Sequence, residues 1–183
     1  LEKGGLRTTL IDAVEAATAT ISAQGLLHLG QGNVRAVEIR GIEPAGREKG
    51  TGFKRSLLRQ KGSPGEPSFE VNGSPEQTGG FVGIAIVSSP DEQTDEYDID
   101  AAKKMFDQQV FLTTGTVTEE QNAEGTIKLS SLKRKFIPFL IADISFTGVY
   151  DLDKRFIYLP IEKLQKNLYP DEGLPIASQI HIK

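Results

Sequence analysis

The stretch "FTGVYDLDKRFIYLPIEKLQ", Phe146 to Gln165, decides how the rest of the chain is read. Its segment "KRFIYLP" alternates aromatic and aliphatic residues and predicts a strand. The following "PIEKLQKNL" predicts a helix, with Pro160 suited to a first turn and Leu164 turned back to the sheet. Asp151 and Asp153 stand just before the strand. Alternate residues on a strand share a face, so the pair could hold a metal or divide acid and base roles. The glycine and basic neighbours between two apolar runs favour the other reading, a hairpin turn.

Working outward, "IASQIHIK" beyond the helix places Ile176, Ile180 and Ile182 on one face of a strand. Upstream, "TIKLSSLKRKFIPFLIADISFTG" is strand-like on both sides of the basic Lys133, Arg134 and Lys135. Three cations on a strand read as a solvated edge that deters edge-to-edge pairing. "AAKKMFDQQVFLTTGTVT" predicts a short helix and a strand over Val110–Val117, and "GGFVGIAIV" a strand over Phe81–Val87. "NVRAVEIRGIEP" alternates Val37 and Ile39 with Glu38 and Arg40 and predicts a half-buried strand. In "LRTTLIDAVEAATATISAQG", Leu6, Leu10, Ile11, Val14, Ala17 and Ile21 recur at three- and four-residue steps, predicting a helix from Leu6 to Gln24 stopped by Gly25. Between Ala45 and Gly80 glycine, proline, serine and charge predominate, and only "FKRSLLRQ" offers a helical turn. A long loop or weakly structured insertion is expected there, and such loops usually carry function or move. The order of elements predicts a mixed α/β (α+β) fold.

Composition narrows the function classes. The 183 residues suit one medium domain or two small subdomains, burying roughly 70% of the unfolded surface. The absence of cysteine rules out disulfides, thiol nucleophiles and cysteine zinc sites. With 21 basic and 25 acidic residues the net charge is −4, which offers no broad basic field for nucleic acid. The densest apolar run, Phe136 to Ile144, is about half the ~20 residues a membrane span needs. The chain begins without an initiator methionine or a signal-like pattern and stops inside an alternating run, so a domain taken from something longer is expected.

Reactive constellations are few. The acidic run Asp91–Asp100 could bind a hard cation but lacks the glycine and terminal glutamate of an EF-hand loop. Acids leading into a helix are the favoured reading. His28 and His181 have no nearby cysteine or serine motif, and the glycine groups match neither a phosphate loop nor a nucleophile elbow. No catalytic, cofactor-binding or metal-binding residue is assigned from these patterns, and no cofactor is expected.

Together "VRAVEIRGIEP", "GGFVGIAIV", "QVFLTTGTV" and the closing segment through "PIASQIHIK" resemble the extracytoplasmic core domain of MacB-like ABC-transporter permeases, near the LolC/LolE lipoprotein-releasing branch. The closing pattern is reproduced by Phe139, Gly148, Tyr150, Asp153, Ile157 to Pro160 and Gln165. The resemblance runs from Val34 to Lys183, and the closing segment is its specific part. The family's usual helix after the middle strand is replaced here by "VSSPDEQTDEYDIDAAKKMF". The resemblance implies a porter-like α/β subdomain from residues 1–45 plus 136–183, with a strand-rich subdomain, 46–135, inserted in it. It implies a periplasmic domain of an inner-membrane protein, set between the first and second transmembrane helices of the permease. Such a domain is non-catalytic and couples ATP-driven motion to export or release of a lipidic or hydrophobic cargo such as lipoprotein. Its implied partners are an ABC ATPase subunit, which hydrolyses the ATP, a second permease chain, and a periplasmic carrier or the lipoprotein itself. Two other readings come from the residues: a stand-alone periplasmic ligand- or carrier-binding module using the loop from Ala45 to Gly80, and a metal-dependent hydrolase using Asp151, Asp153 and the acids near Asp98.

Overall fold

The computed structural model describes residues 14–71, 73–121, 127–170 and 175–183. Seven strands form one mixed sheet: β1 (Ala17–His28), β2 (Val34–Ile42), β3 (Gly79–Gly83), β4 (Gln109–Gln121), β5 (Ile127–Ser145), β6 (Phe156–Pro160) and β7 (Gln179–Ile182). Strand and helix together give the expected α/β class. The sheet closes on itself because β1 is bonded along both edges. Its Ile21–His28 runs antiparallel to Gly41–Val34 of β2, and its Gly25–His28 runs antiparallel to Thr114–Phe111 of β4. Following the pairings β1, β2, β6, β3, β5, β4 and back to β1 gives a six-stranded barrel, with β2–β6 and β3–β5 parallel. β7 adds to the free half of β1, Ala17–Thr20. A barrel this small is filled by side chains.

The filling follows the period of two. Ile21, Leu27, Val37, Ile39, Val82, Leu112, Ile137, Phe139, Ile141, Ile157 and Leu159 are buried in one cluster. Helix α5 (Ile161–Leu168) joins that cluster through Leu164 and Leu168, with Leu164 lying against Gly41. Ile84 and Ile86 of α2 (Ile84–Val87) and Ala102 of α3 (Ile99–Lys103) also belong to it.

In β5 the inward pattern changes phase. Gly80 pairs with Ile141 but Phe81 pairs with Asp143, so Ala142 is an extra residue. Such a bulge re-aims the side chains beyond it. Ile141 and Ile144 both join the core, while Asp143 turns outward beneath the chain at 57–60. Asp143, fully buried, accepts hydrogen bonds from the N–H groups of Arg59 (2.8 Å), Gln60 (2.9 Å) and Ile144 (2.7 Å). Burial pushes its carboxyl up, against the pull of those donors and of the Arg59 charge.

Several expectations need correction. The helix predicted over Leu6–Gln24 is strand from Ala17 onward, and residues 1–13 lie outside the described set. "ATATISAQGLL" carries β-branched residues that suit a pleated surface, and Ile21, Ala23 and Leu27 face the core on alternate positions. Gly25 does not stop a helix: it lies where β4 crosses closest, and a Cβ there would stand 2.6 Å from the Thr113 carbonyl oxygen. The region Ala45–Gly80 is not a plain loop. It forms α1 (Pro44–Thr51) and a 3-10 turn at Phe53–Ser56, and Phe53, Leu57 and Val71 are buried against Ile42, Phe81, Leu140 and Tyr158 on the outside of the barrel. Phe69 stacks on Phe81 at 4.4 Å and Phe53 meets Tyr158 edge-on at 4.9 Å. "GGFVGIAIV" splits into β3 and α2 at Gly83. The expected hairpin at Asp151–Asp153 is instead a crossover, because β3 lies between β5 and β6. β3 and β4, both inside 46–135, share the ring with strands from either side of that range.

β4 and β5 stay paired past the barrel, from Gly115–Arg134 to Gln121–Ile127. At about 3.3 Å per residue this two-stranded ribbon projects some ~20 Å. Lys133, Arg134 and Lys135 sit at its root, paired to β4 on one side.

Two measurements bear on this architecture. Gly25→Val forces β4 off β1, so hydrogen exchange at the Phe111–Thr114 amides rises and the urea midpoint drops. Asp143→Ala leaves buried donors without an acceptor and lowers unfolding stability by about 3 kcal/mol, measured by urea titration, with Asp143→Asn losing less.

Candidate functional site

The structure brings together two stretches that the sequence presents separately, the acidic run and the Phe146–Gln165 segment. The acidic run is organised by its own backbone. Pro90 bridges to Tyr97, and the Asp91 carboxylate accepts from the N–H groups of Gln93 and Thr94, both at 2.9 Å. Those bonds hold the Asp91 carboxyl below its usual range. Asp98 is the N-cap of α3, accepting from Ala101 N–H at 2.8 Å. This is the helix-leading arrangement expected of such acids.

Tyr97 reaches across to Phe146, ring edge to face at 5.7 Å. Between them opens a cleft of about 750 Å³ that also borders Ile99, Tyr150 and Asp153. Burial, then the Asp153 charge, push the Tyr97 phenol up. Asp153 belongs to the short helix α4 (Tyr150–Asp153) and is 1% exposed. Its carboxylate accepts from Thr147 N–H and Thr147 Oγ1, both at 2.8 Å, and from Gly148 N–H at 3.0 Å. Gly148 itself has φ +78°, a conformation that glycine adopts without strain. Asp153 is therefore the clamp of a tight loop, with its oxygens occupied. Asp151 faces outward and pairs with Lys154 at 3.2 Å. The two aspartates do not form a joint site.

The remaining candidates are dispersed. His28 Nε2 lies 3.0 Å from Thr113 Oγ1 across β1 and β4, whereas His181 is on β7 opposite Thr18. Among the described residues no three His, Asp or Glu side chains group as metal ligands. A second concavity, of about 860 Å³, lies between residues 67–79 and the Lys163–Lys166 face of α5. Leu26, Phe111 and Phe136 leave an apolar strip exposed on the outer sheet near the ribbon's root, at 46%, 47% and 66% exposure. A much smaller cavity of about 110 Å³ lies under α1 and is lined by Thr20, Arg40, Arg47, Tyr158, Gln179 and His181. Sequence reading missed it: Arg47 falls in a stretch read as loop, and the outward side of β1 reads as a helix face.

The clefts offer shape, aromatic surface and charge for contact. Asp153→Ala should lower unfolding stability by about 3 kcal/mol through three lost acceptor bonds, while Asp151→Ala changes it by under about 0.5 kcal/mol, both read from urea curves. Millimolar calcium or zinc should leave the melting temperature of the wild type unchanged, since a native-state ligand raises it by mass action. No known protein family matches this chain, and no curated protein matches it either.

Proposed function

We propose that this chain is the extracytoplasmic, periplasmic core domain of an ABC-transporter permease, near the lipoprotein-releasing branch. In this reading the domain is non-catalytic. It couples motion driven by ATP at a separate nucleotide-binding subunit to export or release of a lipidic or hydrophobic cargo such as lipoprotein. The observation that carries the proposal is the closing segment, most of whose pattern positions have a definite structural task. Phe139 fills the barrel, Gly148 turns the loop that Asp153 clamps, and Ile157–Pro160 form β6 and lead into α5. A pattern of this kind specifies a shape, which is what a force-transmitting module needs.

The architecture fits that task. A closed barrel deforms little, since each strand is held on both sides, and the ribbon gives it an arm. No helix among the described residues is long and apolar enough to cross a membrane. The proposal assigns membrane helices to other parts of a longer polypeptide, and a second permease chain faces this one. The complete reading frame tests it directly: membrane helices flanking this segment beside an ATPase gene are expected, and a frame without them overturns it. The arm has its own test. Replacing residues 118–131 by a two-residue Asn-Gly turn should keep the isolated domain's melting temperature and abolish ATP-dependent cargo release by the full transporter. Unchanged release removes the ribbon from the mechanism.

A second reading, a stand-alone periplasmic ligand- or carrier-binding module, draws on the concavity of about 860 Å³ beside residues 67–79. Charge reversal at Lys163 and Lys166 should then weaken capture of a carrier protein without changing stability.

A further inference from the structure

We propose that the small cavity under α1 binds an oxyanion, either a free phosphate or carboxylate or the acidic head group of a larger molecule. The inference stands apart from the transport reading and rests on the outer face of the barrel alone.

Adjacent register positions converge there. Arg40 of β2 is paired with Ser22 of β1 on one side and with Tyr158 of β6 on the other. Thr20 and Thr18 of β1 are paired with Gln179 and His181 of β7. All these positions share the outward phase of the sheet, and Arg47 closes over them from α1. The result is a set of donors from five elements around one small cavity.

Two of those donors lack a partner among the described residues. The Thr20 hydroxyl, in a residue only 1% exposed, has no hydrogen bond among the described residues, and neither does the buried Nε of Arg47. Leaving such groups unpaired in the interior is costly. The charge is also unbalanced. No carboxylate among the described residues lines the cavity. Arg40 is partly neutralised, donating to Ser22 Oγ at 2.7 Å and Gln179 Oε1 at 3.2 Å and lying 3.4 Å from Glu38. Arg47 forms no ion pair among the described residues. The nearest acids on its own segment are committed elsewhere: Glu43 accepts from Ala45 and Gly46 N–H at the start of α1, and Glu48 accepts from Lys54 N–H.

The local field shows the consequence. Burial first, and then Arg40, hold the Arg47 guanidinium below its ordinary value, yet arginine stays charged in proteins. Burial pushes the Tyr158 phenol up to about 12, keeping it a donor across the physiological range. His181 is held below its usual value by burial and then by Arg47 and Arg40. Two guanidiniums, of which Glu38 faces only that of Arg40, with a phenol, a hydroxyl and an imidazole, are complementary to one compact anion. At about 110 Å³ the cavity has room for more than one water-sized group. A phosphate or carboxylate group fits; a nucleotide or sugar could insert only its acidic end.

The test uses the 183-residue chain and its two histidines as internal probe and control. Inorganic phosphate and acetate are titrated at constant ionic strength set by chloride, following the His181 and His28 ring signals by NMR and the melting temperature. An anion cancels the field of the two guanidiniums, so the His181 pKa should rise by ~1 unit in a saturable manner. His28, about 33 Å along β1 from the Thr18 position, should not respond. Arg47→Gln should melt higher than wild type without phosphate, because it removes a buried unpaired charge, and should gain nothing when phosphate is added. Thr20→Val supplies a second variant, with affinity down by about tenfold for a lost buried donor. Dihexanoyl phosphatidic acid separates the sources: saturation by free phosphate identifies a free anion, and a response to the lipid alone identifies a head group. If neither moves the His181 signal, or if phosphate stabilises wild type and Arg47→Gln alike, the cavity holds water only and the proposal fails.

Discussion

Everything in this fold depends on β1 being bonded along both edges at once, and that depends on Gly25. Where β4 crosses β1, the Thr113 carbonyl comes so near that any side chain at position 25 would collide with it. Only a hydrogen at that point allows the sheet to close. Once closed, it has an inside that apolar side chains can fill and an outside free to carry separate features. The aromatic layer of Phe53, Phe69 and Phe81, the cavity under α1 and the clamped Thr147–Gly148 loop are all mounted on that outside.

Much of the ring was visible in the sequence, for physical reasons that also explain what was not. Val37 and Ile39 alternate with charge because β2 has one face in the core and one near solvent, whereas "KRFIYLP" is apolar on both faces because Ile157 and Leu159 fill the barrel and Tyr158 lies under the outer aromatic layer. β1 misled because small residues such as Ala17, Ala19 and Ala23 satisfy a helical and a strand period equally well. Its pairing is settled by partners distant in sequence, which no local window contains. The segment 45–80 misled differently: its glycines and prolines are real turns, but Phe53, Leu57, Phe69 and Val71 are spaced irregularly because they pack as a patch and not as one element. The bulge at Ala142 leaves no compositional trace, and without it Asp143 reads as a polar interruption of a core strand.

The site was legible in one direction only. Asp151 and Asp153 look equivalent in the sequence, and the structure separates them completely, one exposed beside Lys154 and the other clamping a loop. Arg47 and Thr20 drew no attention because their partners come from four other elements. Convergence of that kind is a property of topology, and one-dimensional reading cannot recover it. The division of labour that results is coherent: core and clamps define a stiff body, while the ribbon, the clefts and the basic cavity are where that body can meet other molecules.

The parallel pairing of β2 with β6 carries a consequence for how the chain acquires its shape. Ile39 lies beside Ile157, so the first hairpin has no neighbour on that edge until β6, roughly a hundred residues later, has been synthesised. Pairings this remote in sequence are slow to form, because loop closure must precede the contacts that reward it. During that interval Ile21, Leu27, Val37 and Ile39 offer an uncovered apolar face and an open strand edge to whatever is nearby. The same closure that bonds the six strands into a ring makes the unfinished form the most vulnerable stage of its existence.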